Sequence, residues 1–371
     1  MKIVIFGLSI SSAWGNGHAT LLRGLFRALH NLGHEIHFFE RDVPYYASHR
    51  DTSYFSFVHL HLYPDWSEVL PIVNGEMAGA DAAMVTSYCA DGAAACDLIL
   101  QSGIPRKLFY DMDTPVTLER LRRRERVDYL PKGGFEGFDL VLSYTGGESL
   151  IQLRDMLSAP RTAALYGWVD PSIHYAVQVS SRFESDLSYL GTYSADRQPA
   201  LEDLLIEPAK QRPAATFVIG GAMYPAVNSW PGNIRYYDHV IPADHCAFYS
   251  SSPLTLSITR ASFAAMGYCP SGRLFEAAAC GTAVLSDWWE GLDTFLEPGQ
   301  EILIATSTAE TLRALSMNRE EVKRIGARAR QRAFDCHTAD IRARRLLDLI
   351  EGPRDESEPS EETVCLMKGA S

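Results

Sequence analysis

The sequence lacks a long apolar run, an excess of basic residues and a paired cysteine motif. No segment approaches the length of a membrane-spanning helix, and the first residues have neither the basic leader nor the apolar core of a signal peptide. The net charge of −12 argues against nucleic acid or an anionic membrane as a partner. The cysteines, seven in number and without C-x-x-C spacing, fit neither a disulfide framework nor a zinc ribbon. We therefore expect a soluble, cytoplasmic protein, whose oligomeric state the sequence leaves open.

Two further absences bear on metals and cofactors. The histidines show no set of ligands at the helical spacing of zinc hydrolases, so we expect no structural or catalytic metal. The loop that follows the first apolar run contains Gly15, Asn16 and Gly17, but Thr20 stands where a dinucleotide fingerprint has its third glycine. An NAD-dependent enzyme is therefore disfavoured, and we expect no cofactor.

The chain does contain a regular alternation of short apolar runs and amphipathic segments. With 371 residues it exceeds the usual size of one hydrophobic core, so two domains are expected. Short apolar runs that end in glycine or polar residues predict parallel sheets covered by helices. The alternation restarts after Pro171, which predicts domains at 1–178 and 179–338, a last helix at 339–352 and a disordered acidic tail at 353–371.

The most informative segment runs from Pro270 to Ser286. Ser271 can begin a helix and Gly281 suits its left-handed end, before an apolar strand. Glu276 is then expected in the first turns of a helix at the carboxyl edge of a sheet, where ligands bind in open α/β folds. A carboxylate there can accept hydrogen bonds from two vicinal hydroxyls, which a ribose offers.

This segment resembles the donor signature of GT-B glycosyltransferases. It has the order Arg273-x-x-Glu276-Ala277-x-x-x-Gly281 followed by a strand, and the wider segment is most similar to the CgeB-like group within the group 1 glycosyltransferases. Further similar stretches are Tyr110–Pro115, Tyr166–Pro171 and Tyr189–Arg197. The resemblance implies two Rossmann-like α/β domains facing each other across a cleft, with the last helix crossing back to the amino domain. It also implies a metal-independent enzyme that uses a nucleotide-diphosphate sugar.

The same resemblance locates the donor in the second domain. The loop at 191–193 is expected beside the diphosphate, and an arginine can offer a bidentate fork to phosphate oxygens. Surface exposure is the alternative for Arg197, and a plain turn is the alternative for Gly220. The residues predicted to bind the donor are Gly191, Thr192, Tyr193, Arg197, Gly220, Ser271, Arg273 and Glu276.

Three residues of the first domain are candidate catalytic groups. His18 stands at the start of a helix, where free N–H groups favour polar ligands, although capping or packing is an alternative role. Asp111 and Asp113 follow a strand, and two residues apart in an extended segment they can face the same side. The alternative is that Asp113 caps the next helix. In the glycine loop Gly15-Asn16-Gly17 the two glycines allow close backbone approach, and the sequence leaves open which of the three candidates is the base.

The function expected is transfer of a sugar to an acceptor such as a glycan or a small molecule. Tyr268 stands where many retaining GT-B enzymes carry a second glutamate, so stereochemistry and sugar recognition stay open. The alternatives are a nucleotide-sugar 2-epimerase of the same fold and a catalytically silent protein that binds a sugar nucleotide or a polysaccharide. A basic cluster leaves an anionic acceptor possible, although a solvated helix is favoured for Arg120, Arg122, Arg123, Arg124 and Arg126.

Overall fold

A computed structural model describes residues 1–225 and 229–352. Contacts divide these residues into two units. Unit 1 contains Met1–Tyr166 together with residues 339–352, and unit 2 contains residues 167–338. The tail predicted at 353–371 lies outside the described residues. Within the described ranges, no helix combines the length and the apolar character that crossing a bilayer requires.

Unit 1 is built on a parallel sheet of seven strands in the order β3-β2-β1-β4-β5-β6-β7. Ile3, in an inner strand, pairs with Ile36 on one side and Ala82 on the other. The strands are β1 (Lys2–Gly7), β2 (Glu35–Arg41), β3 (His59–Tyr63), β4 (Ala82–Thr86), β5 (Arg106–Asp111), β6 (Leu140–Ser143) and β7 (Thr162–Ala164).

Helices alternate with these strands, as the parallel direction requires. The apolar face of the first helix is buried on the sheet, with Leu22, Leu25 and Phe26 fully covered. The helices between strands are α1 (Gly17–Asn31), α2 (Pro44–Ala47), α3 (Trp66–Met77), α4 (Gly92–Gln101), α5 (Thr114–Arg122) and α6 (Glu148–Leu157).

Unit 2 has a second parallel sheet, of six strands in the order β10-β9-β8-β11-β12-β13. Its strands are β8 (Leu187–Leu190), β9 (Phe217–Gly220), β10 (Ile234–Tyr237), β11 (Leu254–Ser257), β12 (Ala283–Ser286) and β13 (Leu303–Ile304). Its α-helices are α7 (Gln198–Leu201), α8 (Glu207–Gln211), α9 (His245–Ser250), α10 (Ala261–Ala264), α11 (Gly272–Ala279), α12 (Leu292–Phe295), α13 (Thr308–Ala314) and α14 (Arg319–Cys336). A π-helix at Glu202–Ile206 joins α7 to α8.

The last helix, α15 (Ala339–Glu351), belongs to unit 1. Its carboxyl end accepts hydrogen bonds from two arginines that lie beside the sheet. Arg106 Nε donates to the Ile350 carbonyl at 3.0 Å, and Arg161 Nη1 donates to the Leu349 carbonyl at 2.8 Å. Cationic groups at this end also suit the negative pole of the helix.

The two parallel sheets confirm the predicted fold class. The contacts change from unit 1 to unit 2 at residue 167, earlier in the chain than the boundary predicted at 178/179. The segment after Gly167 belongs to unit 2 because its backbone bonds there. Val169 N donates to the His337 carbonyl at 2.9 Å, and Val177 N donates to Ser250 Oγ at 3.1 Å.

Candidate functional site

The loop between β1 and α1 is held by a buried carboxylate. Glu40, 1% exposed at the end of β2, accepts hydrogen bonds from Ser9 Oγ at 2.7 Å, Ile10 N at 2.7 Å and Ser11 N at 3.0 Å. A buried carboxylate is stable only when its lone pairs are occupied in this way. Glu40 thereby fixes the chain that leads to the start of α1. Sequence reasoning missed this residue, although an acid directly after the apolar run Ile36–Phe39 is a signal for such a role.

Asn16 completes this loop and begins α1. Its side-chain oxygen accepts from His18 N at 3.1 Å, which is the usual capping bond of a helix start. Its amide nitrogen donates to the carbonyls of Ser9 at 3.0 Å and Ser12 at 3.1 Å. Gly15 has a φ of +60°, whereas Gly17 is the first residue of the helix and has open space at its Cβ position. The loop therefore presents His18 on the first turn of α1.

His18 and Asp113 meet in unit 1. The distance from His18 Nε2 to Asp113 Oδ2 is 2.7 Å, and the two side chains are 15% and 18% exposed. A carboxylate only accepts, so Nε2 carries the proton in this bond. His18 Nδ1 is buried and has no hydrogen-bond partner among the described residues. When the imidazole is neutral, its lone pair is therefore on Nδ1. Asp113 directly precedes α5, but its side chain makes no capping bond.

Asp111 forms a hydrogen bond with the backbone of Asp113. It is fully buried at the end of β5, and its Oδ1 accepts from Asp113 N at 3.0 Å. Burial raises the pKa of Asp111 to about 7. Its Oδ2 has no hydrogen-bond partner in the described part of the chain. The structure thus brings all three candidate catalytic residues together, and Asp111 is the most deeply buried of them.

In unit 2 two glycine loops lie in contact. Gly191 N donates to the Gly220 carbonyl at 2.8 Å, and Tyr193 N donates to the Ala222 carbonyl at 2.9 Å. A Cβ on Gly221, whose φ is +140°, would lie 2.1 Å from the Gly191 carbonyl oxygen, so no other residue fits there. A Cβ on Gly220 would lie 2.7 Å from Val240. Gly220 is therefore required by packing within unit 2.

Two arginines flank Gly191. A Cβ on Gly191 would lie 3.0 Å from Arg273 Nη2, and the Arg273 guanidinium lies over the Tyr189 ring at 5.4 Å from its centroid. Arg197 Nη2 donates to the Thr192 carbonyl at 2.6 Å, whereas its buried Nε has no partner among the described residues. Burial, and secondarily the charge of Arg273, lower the pKa of Arg197. Within residues 1–225 and 229–352, neither guanidinium is hydrogen-bonded to a carboxylate.

Glu276 lies one turn after Arg273 on α11. Tyr249 Oη donates to Glu276 Oε2 at the long distance of 3.4 Å. Ser271, directly before the helix, has a buried Oγ without a partner in the described ranges and makes no capping bond. The helix therefore places the Arg273 guanidinium near the Gly191 loop and the Glu276 carboxylate one turn further along. Tyr193 lies in this loop as well, edge-on to Tyr224 at 5.5 Å between ring centroids.

Tyr268 packs against a glycine in the loop that follows β12. Its backbone is left-handed, with a φ of 45°, and its N donates to the Glu290 carbonyl at 2.6 Å. A Cβ on Gly291 would lie 2.5 Å from the Tyr268 ring, so this ring is packed against that glycine.

The arginine cluster that follows Asp113 is largely neutralised by its own neighbours. Arg120 pairs with Glu125 at 3.4 Å, and Arg126 pairs with Asp128 at 2.5 Å. Arg123 forms an ion pair with Glu119, and Arg122 donates to Gln152. The helix ends at Arg122 rather than continuing through the cluster. These pairs favour the interpretation as a solvated segment.

One family model matches part of the chain. Residues 197–348 match the family model described as "Glycosyl transferase-like". A comparison with curated protein sequences finds no match.

Solved structures resemble the whole chain in fold. Sucrose-phosphate synthase from Thermosynechococcus elongatus has a TM-score of 0.69 at 14% identity, covering 95% of this chain and 98% of that chain. An alpha-glucosyltransferase in complex with UDP-glucose and DNA containing an abasic site has a TM-score of 0.69 at 13% identity. The match covers 95% of this chain and 99% of that chain. HepE from Anabaena, in complex with UDP-glucose, has a TM-score of 0.65 at 12% identity, covering 95% and 100%. The solved structures confirm the predicted GT-B fold, and the family match supports the predicted glycosyltransferase, whereas the CgeB-like subgroup stays a prediction.

Proposed function

We propose that this chain, a glycosyltransferase of the GT-B fold, transfers a sugar from a nucleoside-diphosphate sugar to an acceptor hydroxyl. Unit 2 holds the donor, and unit 1 supplies the base. The observation that carries the proposal is the pair Arg197 and Arg273 beside Gly191, with Glu276 one turn along the same helix as Arg273. Cationic donors without carboxylate partners suit a diphosphate, and the neighbouring carboxylate suits a ribose.

The diphosphate is the ligand that best satisfies the two arginines. Arg273 makes no hydrogen bond or ion pair with the described residues, and its guanidinium lies over the Tyr189 ring. Its guanidinium therefore has free N–H groups that phosphate oxygens can accept from. When the bond from the sugar to the diphosphate breaks, negative charge develops on the leaving nucleotide. Fixed cations stabilise that charge as it forms, so the departure needs no metal ion.

The ribose is assigned to Glu276. Its carboxylate has one weak partner, the Tyr249 hydroxyl at 3.4 Å, so its lone pairs can accept from the two vicinal ribose hydroxyls. UDP is the first nucleotide to test, because two of the structural neighbours contain UDP-glucose.

The base is assigned to His18. Asp113 accepts the Nε2 proton, which holds the ring and stabilises the imidazolium that forms during transfer. His18 Nδ1 takes the proton of the acceptor hydroxyl as its oxygen bonds to the anomeric carbon. The electron pair of the broken glycosidic bond leaves with the nucleoside diphosphate. Asp111 holds the backbone of Asp113 and takes no proton from the acceptor.

The proposal is tested by measuring release of nucleoside diphosphate from UDP-glucose and other nucleotide sugars across glycans and small-molecule acceptors. Acceptor-dependent release supports transfer. Conversion of the sugar nucleotide without an acceptor would instead indicate an epimerase, and tight nucleotide binding with no turnover across the panel would indicate a silent binding protein.

Metal independence is part of the same proposal. We expect EDTA to leave the transfer rate undiminished, because charge stabilisation is assigned to Arg197 and Arg273. Loss of activity on chelation, with recovery on adding Mg²⁺ or Mn²⁺, would contradict this assignment. The same assay with heat-denatured protein measures background hydrolysis of the donor.

A further inference from the structure

A second cluster of polar side chains lies beside Glu276 in unit 2. The ligand atoms of His174, His245 and Glu276 are all within 4.8 Å of one another. His174 is 2% exposed, although it precedes the domain's first strand and lies far from Glu276 in sequence. The proposed transfer reaction uses neither histidine.

The two imidazoles have free nitrogens at this point. His245 Nε2 lies 3.2 Å from the Val240 carbonyl, which only accepts, so the proton is on Nε2 and the lone pair is on Nδ1. His245 Nδ1 is buried without a partner among the described residues, and so are both nitrogens of His174. An unpaired buried polar atom typically costs about 1–3 kcal/mol. One nitrogen of each imidazole lies in the cluster with Glu276, and unpartnered nitrogens in that position indicate a ligand that they serve.

One helix positions all three side chains. His245 is the first residue of α9, and Tyr249 of the same helix donates to Glu276. Cys246 holds the chain on both sides of His174. Its Sγ donates to the Ile173 carbonyl at 3.0 Å and accepts from Tyr175 N at 3.5 Å. The three groups are therefore part of a fixed arrangement.

We propose that His174, His245 and Glu276 form a Zn²⁺ site, and that zinc bound there competes with the ribose of the donor for Glu276. The competition, but not the metal site, rests on the proposed function. Two imidazole nitrogens and one carboxylate oxygen are typical zinc ligands, with a fourth position left for water. In a tetrahedral site the ligand atoms are about 3.3 Å apart, so modest side-chain movement closes the cluster around the ion. Zinc thereby acts as an inhibitor of donor binding.

Unit 1 contains a similar cluster that serves as a matched control. His37, His61 and Glu76 also place their ligand atoms within 4.8 Å of one another. There, however, Lys2 Nζ lies 2.7 Å from Glu76 Oε2, and His37 Nδ1 lies 3.1 Å from His61 Nε2. These ligand atoms are already engaged with one another or with a cation, so this cluster should bind zinc more weakly.

The test is calorimetric titration of Zn²⁺ into the wild type, His174→Ala, His245→Ala and the control His37→Ala. Each variant is first checked for an unchanged circular dichroism spectrum. We expect His174→Ala and His245→Ala each to weaken the tightest site by about ten-fold or more, while His37→Ala leaves it unchanged. Co²⁺ titration adds an independent readout, because visible absorption bands of tetrahedral Co²⁺ should be lost in His174→Ala. A tight site that survives both histidine substitutions overturns the proposal.

The competition is measured with uridine, which carries the ribose but no phosphate that would bind zinc in solution. Saturating Zn²⁺ should weaken uridine binding in the wild type and in His37→Ala, but not in His174→Ala. If zinc binds through His174 and uridine affinity stays unchanged, the shared role of Glu276 is wrong and the metal site stands. If Glu276→Gln loses uridine but keeps zinc, Glu276 is not a zinc ligand and the donor assignment stands.

Discussion

The candidate sites of the two units differ in how their charged groups are partnered. In unit 1 His18 pairs with Asp113, whose backbone is held in turn by Asp111. In unit 2 the guanidiniums of Arg197 and Arg273 have no carboxylate partner among the described residues. Groups that move a proton must be oriented beforehand, so they bind one another. Groups that bind an anion keep free donors for the ligand, and the folded protein carries the cost of desolvating them.

This difference predicts that a nucleoside diphosphate stabilises the protein against unfolding. Proton transfer, proposed for unit 1, and anion binding, proposed for unit 2, should therefore respond to different substitutions.

The largest effect is expected for His18→Ala. Removing the general base should lower kcat by about 10²–10⁴-fold, because the acceptor hydroxyl then has no positioned proton acceptor. Affinity for UDP should stay unchanged, as measured by calorimetry. Asp113→Asn is the matched control, since it keeps the size of the side chain and removes its charge, and should cause a smaller loss of kcat. A parallel loss of UDP affinity in His18→Ala would refute the division of roles between the units.

The second effect concerns Arg273→Ala. Loss of a charged hydrogen bond should weaken UDP binding by about 1.5–3 kcal/mol. Binding of uridine should change much less, since the guanidinium is assigned to phosphate oxygens. Arg124→Ala, an exposed arginine of the cluster after α5, serves as the control for net charge. Equal losses for UDP and uridine in Arg273→Ala would remove this residue from the phosphate site.

Glu276→Gln should weaken the donor nucleotide by roughly ten-fold or more, corresponding to about 1.4 kcal/mol. The amide keeps the size of the side chain but retains only one acceptor oxygen for the two ribose hydroxyls. A 2′,3′-dideoxy analogue lacks those hydroxyls, so wild type and variant should bind it equally and the two changes should be non-additive. Equal weakening of the natural nucleotide and the analogue would show that Glu276 has a structural role.

A separate prediction concerns the dependence of stability on pH. Burial raises the pKa of Asp111 from 3.8 to about 7, so the folded state binds a proton that the unfolded state has released. The free energy of unfolding should therefore fall as the pH rises from about 4 to about 7, by at most about 1.4 kcal/mol per pH unit from this group. Asp111→Asn should remove this contribution, as urea titrations at several pH values would show. An identical slope in the variant would mean that another group causes it.

Local sequence patterns predicted the parallel sheets and the helix that carries Arg273 and Glu276. Those predictions succeed because an apolar run or a helix start is decided by neighbouring residues. Strand β3 was not predicted because His59 and His61 alternate with leucines, so the segment is not an apolar run. The role of Glu40 was not predicted for another reason. Its partners in the loop at 9–11 come from an earlier part of the chain.

Neighbouring residues in the sequence specify the α/β alternation, the candidate donor motif on α11 and each candidate catalytic residue taken alone. Which of these residues meet depends on the tertiary structure. His18 follows β1 and Asp113 follows β5, and the sheet order β1-β4-β5 brings their ends to one edge with β4 between them. The approach of His174 and His245 to Glu276 likewise depends on how α9 packs beside α11. Strand order and helix packing are set by the burial of the whole core. No local sequence pattern therefore predicts which of these side chains come into contact.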